Sequence, residues 1–188
     1  MNVYDFDGTV YDGDSSVDFY FFALKKKPSL IRFIPKQLYG FVLYKFKKID
    51  KTALKERFFS FLSGIDAEKL LGEFWDKNEK KIFDYYLKQK RDDDIIISAS
   101  PEFLLEPICQ RLGIISLIAS KVDVNSGRFD GINCRGEEKV RRLYDELGVD
   151  SFDNFYSDSS ADLPLARLSK QSYRIVKGNV VDWDIDIK

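Results

Sequence analysis

The chain has 188 residues, 44% of them hydrophobic, and a formal net charge of -1. This length can bury the core of one domain, with or without an insertion, and this composition excludes a disordered protein and a general nucleic-acid-binding protein. Because the chain contains no histidine, histidine triads, bases and metal sites are excluded, and acid–base chemistry would need carboxylates, lysines or tyrosines.

The start of the chain and its cysteines bear on its location. The first predicted strand begins at about Val3, which leaves no room for a secretory signal, and Cys109 and Cys134 are too few for a disulfide scaffold. We therefore expect a cytoplasmic protein. The most apolar stretch, Ser29 to Phe46, is interrupted by charged residues and a proline, so we expect no membrane-spanning helix.

The first predicted element is a short apolar strand that ends in two carboxylates. Asp5 and Asp7 stand one residue apart at its carboxyl end, just before Gly8. Because alternate strand residues face the same side, both carboxylates point the same way. Two like charges this close resist ionisation unless a cation lies beside them, so the pair indicates a divalent metal and proton transfer. A strand that runs into an ordinary polar turn is the simpler alternative.

Four helices are predicted next, with no strand pattern among them. We expect them to run from Asp14 or Ser15 to about Lys26, from Pro28 onward with a kink at Pro35, from Asp50 to Gly64, and from Asp66 to about Gln89. More than half of the aromatic residues of the chain lie in residues 14–91. This concentration predicts a separately packed helical module.

Positive charge is concentrated in the first part of this module. The window from Lys25 to Arg57 carries eleven lysines and arginines against two acids, although the whole chain is nearly neutral. Together with the aromatic residues among them, these cations either form a solvated helical face or contact a phospholipid headgroup at a membrane surface. An anionic small metabolite fits the charge equally well.

From Asp92 onward, short apolar runs alternate with helices. The predicted strands cover 95–97, 115–119, 154–156 and 172–176, the helices 101–112, 136–147 and 161–168, and a hairpin 121–132. This alternation predicts an α/β fold with a Rossmann-like parallel sheet and a ligand site outside the carboxyl ends of its strands. We expect residues 1–13 and 92–188 to form this core and residues 14–91 to be an inserted all-helical cap.

Polar residues follow two further predicted strands. Ser98 ends an apolar strand just before Pro101, where it is either a helix cap or a ligand for phosphate. Asp158 and Asp162 follow a later strand. With Asp5, Asp158 would complete a site of oxygen ligands that suits magnesium, although acids at a helix N-terminus give the same pattern.

Four stretches, taken in order, resemble the motifs of the haloacid dehalogenase superfamily. They are Asp5-Phe6-Asp7-Gly8-Thr9, Ser98-Ala99-Ser100-Pro101, Gly136-Glu137-Glu138-Lys139 and Tyr156-Ser157-Asp158-Ser159. Within that superfamily the chain is similar to subfamily IB, the branch of phosphoserine phosphatases and of small hydrolases related to bacterial phosphatidylglycerophosphate phosphatases. The resemblance extends from Val3 to about Val176.

The resemblance implies a phosphatase that cleaves a phosphate monoester through an aspartyl-phosphate. Asp5 would be the nucleophile, and Asp7 would be the general acid and base. The phosphate would be bound by Ser98, Ala99 and Lys139. Because the dehalogenases of the superfamily lack an acid at the position of Asp7, the resemblance favours phosphate esters over carbon–halogen bonds.

The resemblance also implies a magnesium ion and a substrate site in the cap. Asp5, Asp158 and the backbone carbonyl of Asp7 would hold Mg²⁺, while Asp162 would orient Lys139 or a water on the metal. Asp14 and Arg57 stand near the positions where phosphoserine phosphatases place a glutamate and an arginine that bind substrate. Two residues are candidates for the cation of the third motif, Arg135 and Lys139. Lys139 fits the Gly-x-x-Lys pattern better.

The predicted substrate is a small phosphorylated metabolite or a phospholipid headgroup. The sequence leaves two alternatives open: a phosphotransferase or mutase that uses the same aspartyl-phosphate, and a non-catalytic module that contacts membranes peripherally. We expect no nucleic-acid partner.

Overall fold

A six-stranded sheet forms the centre of the computed structural model, which describes residues 1–184. The strands are β1 (Asn2–Tyr4), β2 (Ile95–Pro101), β3 (Ser116–Ser120), β4 (Phe152–Ser157), β5 (Ser169–Val176) and β6 (Asn179–Asp182). Their order is β3-β2-β1-β4-β5-β6, and all neighbours are parallel except β5 and β6. The predicted α/β fold is therefore confirmed, with an antiparallel strand added at one edge.

Eight α-helices accompany the sheet in the described part of the chain. They are α1 (Ser15–Lys26), α2 (Ile34–Lys45), α3 (Lys51–Phe59), α4 (Ala67–Asn78), α5 (Asp84–Gln89), α6 (Glu102–Arg111), α7 (Glu137–Leu147) and α8 (Leu163–Ala166). Short 3₁₀ turns cover Pro28–Phe33, Ser60–Gly64, Glu79–Lys81 and Ser160–Asp162. None of the helices within residues 1–184 is long and apolar enough to cross a membrane.

Two of the predicted helix starts are fixed by side-chain caps, whereas the second helix begins at Ile34, after a 3₁₀ turn over Pro28–Phe33, and not at Pro28. The Asp14 carboxylate accepts a hydrogen bond from the backbone N–H of Val17 at 3.0 Å, and that of Asp50 accepts one from Ala53 at 2.7 Å. Each bond satisfies an N–H that has no partner within its helix, so each aspartate fixes where the helix begins. These two caps bring the start of α1 and of α3 to their predicted positions.

The prediction of one long helix from Asp66 to Gln89 is wrong. The chain leaves the helical path between α4 and α5, where the backbone N–H of Phe83 donates to the carbonyl of Val10 at 2.9 Å. Ile82 forms an isolated β-bridge with Tyr11 at the same place. This pairing with the loop after β1 satisfies the backbone groups that a continuous helix would have bonded internally.

Two smaller features complete the sheet side of the chain. The strand β6 was not predicted, because its four residues are all exposed and give no apolar pattern. The hairpin expected over 121–132 is present in a short form: Val122 and Phe129 make a β-bridge, and the backbone N–H groups of Asp123 and Asp130 donate to the carbonyls of Arg128 and Lys121 at 2.8 and 2.9 Å.

The predicted separate packing of the helical segment is wrong as well. Side chains of α1 and α4 share one continuous apolar cluster with side chains of β1, β2 and α6. Trp75 of α4 is fully buried, meets the rings of Phe6 and Tyr11 edge-on at 6.1 and 5.6 Å, and donates its indole N–H to the carbonyl of Leu104 at 2.8 Å. This contact joins the helical segment to the sheet layer.

Replacement of Trp75 by alanine is expected to lower the free energy of unfolding by about 3–5 kcal/mol, the usual cost of removing a buried tryptophan. Trp183 is the matched control, because it is the other tryptophan of the chain and lies half-buried against Arg174 at 4.7 Å. Trp183→Ala should cost no more than about 1–2 kcal/mol. Chemical denaturation measures both, and equal losses would contradict the role given to Trp75.

Candidate active site

Asp5 follows directly on β1, the central parallel strand, and its carboxylate lies at the carboxyl edge of the sheet. The side chain is almost fully buried, and Oδ1 accepts a hydrogen bond from Lys139 Nζ at 2.7 Å. No hydrogen bond to Oδ2 from a side chain is found in the described part of the chain. Burial raises the pKa of Asp5, the Lys139 charge opposes that rise, and the Asp162 charge adds to it.

Asp7 lies two residues further, in the loop before α1. Its Oδ1 accepts from the backbone N–H of Ser15 at 2.7 Å, and its Oδ2 accepts from the hydroxyl of Ser100. Burial raises the pKa of Asp7 to about 6, and repulsion by Asp14 contributes, while the bonds from Ser100 and Ser15 act in the opposite direction. A carboxyl group with a pKa near neutrality suits transfer of a proton in both directions.

The end of β2 brings a second polar group to the same edge. Ser98 is buried, and its hydroxyl accepts from the backbone N–H of Ser100 at 3.1 Å. The carbonyl of Ala99 accepts from Lys55 Nζ at 2.7 Å and from Ser120 Oγ at 3.0 Å. The strand end is therefore held from both sides.

Lys139 enters from the first turn of α7 and is buried. Its ammonium group binds Asp5 Oδ1 at 2.7 Å and Asp162 Oδ2 at 2.9 Å. The same oxygen of Asp162 accepts from Ser157 Oγ at 2.8 Å. Burial disfavours the charge of Lys139, but the two carboxylates outweigh this effect and raise its pKa above the ordinary value. Lys139 therefore stays charged within the site.

Asp158 comes from the loop after β4. Its backbone N–H donates to Thr9 Oγ1 at 3.0 Å, and its carboxylate lies against Gly8 so closely that a Cβ at Gly8 would overlap it. The φ of Gly8 is +70°, a conformation that side chains other than glycine rarely adopt. Glycine thus lets the loop after β1 pass directly beside the Asp158 carboxylate.

Most of these groups, although not Lys139 or Asp162, line one cavity of about 520 Å³. Its acidic wall holds Asp5, Asp7, Asp14 and Asp158, and its polar floor holds Ser98 and Ala99. The remaining wall comes from the helical segment and from one loop, and consists of Val17, Phe41, Lys51, Leu54, Lys55, Phe58, Phe59 and Arg135, among others. Groups from distant parts of the chain therefore line the same open cavity.

The oxygen atoms at the acidic wall fit a hard divalent cation. Asp5 and Asp158 flank the loop that carries Asp7, and the Asp158 carboxylate forms no ion pair within residues 1–184. The described residues hold no cluster of three His, Cys, Asp or Glu side chains arranged as metal ligands. The predicted set needs only two carboxylates because its third ligand is the Asp7 backbone carbonyl, and all three donors are oxygen atoms of the kind magnesium prefers.

The two substrate residues predicted in the helical segment occupy different places. Asp14 lines the cavity. Arg57 instead packs along Gly40, with its guanidinium 5.7 Å from the ring centroid of Tyr39. Of the two candidate cations near α7, Lys139 contacts Asp5, whereas Arg135 lies on the cavity wall.

Lys55 is a site residue that the sequence did not predict. Its ammonium group binds the Ala99 carbonyl and, at 3.1 Å, the side chain of Asn133. Burial lowers its pKa to about 8, with the Lys51 charge adding to this and the Asp7 charge opposing it. Nothing in the local pattern separates Lys55 from the other lysines of its window, so no sequence signal was available.

Ser100 is a second such residue. It lies in one of the stretches that carry the family resemblance. Its hydroxyl donates to the Asp7 carboxylate and lies 3.1 Å from Ser16 Oγ, and these contacts, which the sequence alone does not show, place it in the site.

Comparison with known proteins gives a family and a fold. A family model described as haloacid dehalogenase-like hydrolase matches residues 3–167. The predicted superfamily is thereby confirmed.

Two curated relatives match part of the chain. Protein CicA of Caulobacter vibrioides (strain NA1000 / CB15N) is 35% identical over 91 residues, which cover 45% of this chain and 41% of CicA. Histidinol-phosphatase of Neisseria meningitidis serogroup C (strain 8013) is 34% identical over 89 residues, which cover 41% of this chain and 40% of that protein. The chain thus matches about two fifths of the length of each.

Solved structures share the fold at low sequence identity. A Bordetella pertussis Tohama I protein of unknown function has a TM-score of 0.75 and 20% identity, with 92% of this chain and 87% of that one covered. A phosphoserine phosphohydrolase-like protein from Francisella tularensis subsp. tularensis SCHU S4 has a TM-score of 0.56 and 17% identity, with 91% and 84% covered. These likenesses support the same α/β fold.

The contact between Gly8 and Asp158 can be tested with two glycines that share the same φ of +70°. Gly113→Ala should cost about 1 kcal/mol of unfolding free energy from backbone strain alone, because nothing lies within 4 Å of its Cβ position. Gly8→Ala should cost at least about 1 kcal/mol more, since the new methyl group overlaps the Asp158 carboxylate. Denaturant titration measures the difference, and equal losses would mean that Asp158 is free to move aside.

Proposed function

We propose that this chain, which belongs to the haloacid dehalogenase-like hydrolase family, hydrolyses a small phosphate monoester with Asp5 as the nucleophile. The observation that carries this proposal is the convergence of Asp5, Asp7, Ser98 and Asp158 on one cavity, with Lys139 bonded to Asp5. The proposal therefore takes its nucleophile, its acid–base group and its phosphate-binding groups from one cavity and from the lysine bonded to its edge.

In the first step, a carboxylate oxygen of Asp5 bonds to phosphorus while the bond from phosphorus to the ester oxygen breaks. Lys139 holds Oδ1, which leaves Oδ2 as the attacking atom. Asp7 gives its proton to the departing oxygen, so that the leaving group departs as an alcohol. Ser100 and the N–H of Ser15 fix the orientation of the Asp7 carboxyl group throughout.

In the second step, Asp7 takes a proton from water as the water oxygen bonds to phosphorus. The bond between phosphorus and Asp5 breaks, inorganic phosphate leaves and Asp5 regains its carboxylate. Lys139 and the hydroxyl of Ser98 bind the phosphate oxygens, and Asp162 keeps the Lys139 ammonium group in place.

Asp5, Asp158 and the backbone carbonyl of Asp7 would hold Mg²⁺. When bound, the ion would offset the negative charge between the carboxylates and the phosphate and stabilise the phosphate oxygens.

The size and lining of the cavity support a small substrate with a second anionic or apolar part. Lys51 and Arg135 bring positive charge to the cavity, and Val17, Leu54 and Phe58 bring apolar surface. A curated relative is named histidinol-phosphatase, which is consistent with a small phosphate monoester as the substrate class.

Turnover of a generic aryl phosphate with Mg²⁺ tests the proposal. Asp5→Asn should abolish turnover because an amide cannot replace the attacking carboxylate. Asp7→Asn should lower kcat by about 10²- to 10⁴-fold, the usual contribution of general acid–base catalysis. Release of inorganic phosphate is the measurement.

Two controls accompany this assay. Asp12→Asn removes a carboxylate that lies in the same loop but does not line the cavity, and it should retain turnover. Removal of divalent ions with EDTA should stop turnover, and added Mg²⁺ should restore it. Turnover by Asp5→Asn equal to that of the wild type would contradict the proposal, and transfer of phosphate to an added alcohol in preference to water would indicate a phosphotransferase.

The lowered pKa of Lys55 gives a pH dependence. Below about pH 8 its ammonium group is charged and attracts the substrate phosphate; above that pH the charge is lost. We expect kcat/KM to fall about tenfold as the pH rises through this range, which corresponds to the loss of one charged hydrogen bond. In Lys55→Arg, which stays charged, the fall should disappear.

Lys55→Met is the complementary variant for this prediction. It should show a low kcat/KM at every pH, because its side chain is never charged. A fall near pH 8 that persists unchanged in both variants would assign the titration to another group.

A further inference from the structure

The apolar side of α2 faces outward. Leu38, Tyr39, Val42 and Phe46 are all at least half exposed, and Phe46 reaches 68%. Their spacing places them on one side of the helix and the residue that follows it. A soluble helix normally turns such a stripe toward the core, so this one is left for a partner.

The inward side of α2 explains why the stripe is not needed for packing. Gln37 is buried, and its amide accepts from Tyr20 Oη at 3.0 Å and donates to the carbonyl of Phe58 at 2.9 Å. Gly40 lies against the side chain of Arg57, with no room for a Cβ. The contacts of α2 with its neighbours are therefore made by the side-chain amide of Gln37 and by the close packing at Gly40. The large apolar side chains of the stripe stay exposed to solvent.

Lysines surround the exposed stripe. Lys36, Lys45, Lys47 and Lys48 are all exposed. A hollow of about 540 Å³ at the end of α2 is lined by Lys45, Lys47 and Lys48, together with Tyr44, Ile49 and Asp50. Apolar side chains with cations at their margin are the pattern of a helix that lies in the headgroup region of an anionic membrane.

We propose that the outward face of α2 and the lysines at its end, called here the α2 face, dock this protein on the surface of an anionic lipid bilayer. The apolar side chains would enter the boundary between headgroups and acyl chains, and the lysines would contact the headgroup phosphates. No helix has to cross the membrane for this mode of binding.

The charge of the α2 face argues against a second copy of the chain as its partner. In a twofold dimer the same patch meets itself, which would place the lysines of one copy against those of the other. An acidic polypeptide would pair with the lysines but would leave the aromatic and aliphatic stripe in water. An anionic lipid bilayer offers both negatively charged headgroups and an apolar acyl-chain region beneath them.

Phe41 connects the α2 face with the cavity. It is 52% exposed and also lines the cavity that holds Asp5 and Asp7. Docking would therefore bring the mouth of the cavity close to the membrane surface. The docking itself does not depend on the proposed reaction, since it involves other side chains.

Sedimentation of the full chain with vesicles tests the proposal. We expect the protein to bind vesicles of phosphatidylcholine with about 30 mol% phosphatidylglycerol at low salt, to bind less at high salt, and to leave pure phosphatidylcholine vesicles in solution. Leu38→Glu with Val42→Glu should lower binding at least about tenfold, because both side chains lose their apolar contact with lipid.

The matched control is Ile115→Glu with Val181→Glu. Both residues are also exposed, but Ile115 lies just before β3 and Val181 lies on β6, so neither belongs to α2. This double variant carries the same added charge and should bind like the wild type. Thermal unfolding of both double variants shows whether each is folded.

Three outcomes would overturn the proposal. The first is no binding to the anionic vesicles at low salt. The second is equal binding by the wild type and the α2 double variant, which would indicate attraction by charge alone. The third is a dimer in solution, measured by light scattering without lipid, that the α2 double variant dissociates. Phosphatase assays in solution are independent of all three, so failure of the proposed function would be recognised separately.

Discussion

Lys139 binds two buried carboxylates that the chain brings together from its beginning and its end. Its Nζ lies 2.7 Å from Asp5 and 2.9 Å from Asp162. A buried charge without a partner is costly, so this bridge ties the start of α7 to the end of β1 and to the turn after β4. One cation faces two carboxylates there, so the wall of the cavity that holds Asp5, Asp7 and Asp158 keeps more carboxylates than cations.

Neutral groups hold the Asp7 carboxylate and the loop that carries Asp158. The hydroxyl of Ser100 and the backbone N–H of Ser15 donate to Asp7, and Thr9 Oγ1 accepts from the backbone N–H of Asp158. A neutral donor orients a carboxylate but leaves its charge available for a metal, a phosphate or a proton. The site combines the two ion pairs of Lys139 with neutral contacts, which leave Asp7 and Asp158 without a cationic partner among the described residues.

The helical segment between β1 and β2 contributes as much to the cavity as the sheet does. Lys55 of α3 reaches the end of β2, the N–H of Ser15 holds Asp7, and Phe83 bonds to the loop after β1. The same segment uses a glutamine and a glycine to attach α2 and leaves its apolar side outward. Rigid attachment near the carboxylates and an exposed face further out are therefore properties of one segment, which links the chemistry of the cavity to the surface around its mouth.

The sequence by itself determined the features that depend on neighbouring residues. These are the carboxylate pair at Asp5 and Asp7, the aspartate caps of α1 and α3, the alternation of strands and helices, and the family motifs. Only the tertiary structure decided which lysines line the cavity, where the fourth predicted helix breaks, and that Arg57 packs against Gly40 and not in the cavity lining. The physical reason is the sequence separation of the interacting residues. Helix caps and hydrophobic periodicity involve residues a few positions apart, whereas the contacts of Lys55 with Ala99 and of Phe83 with Val10 form only when the chain folds.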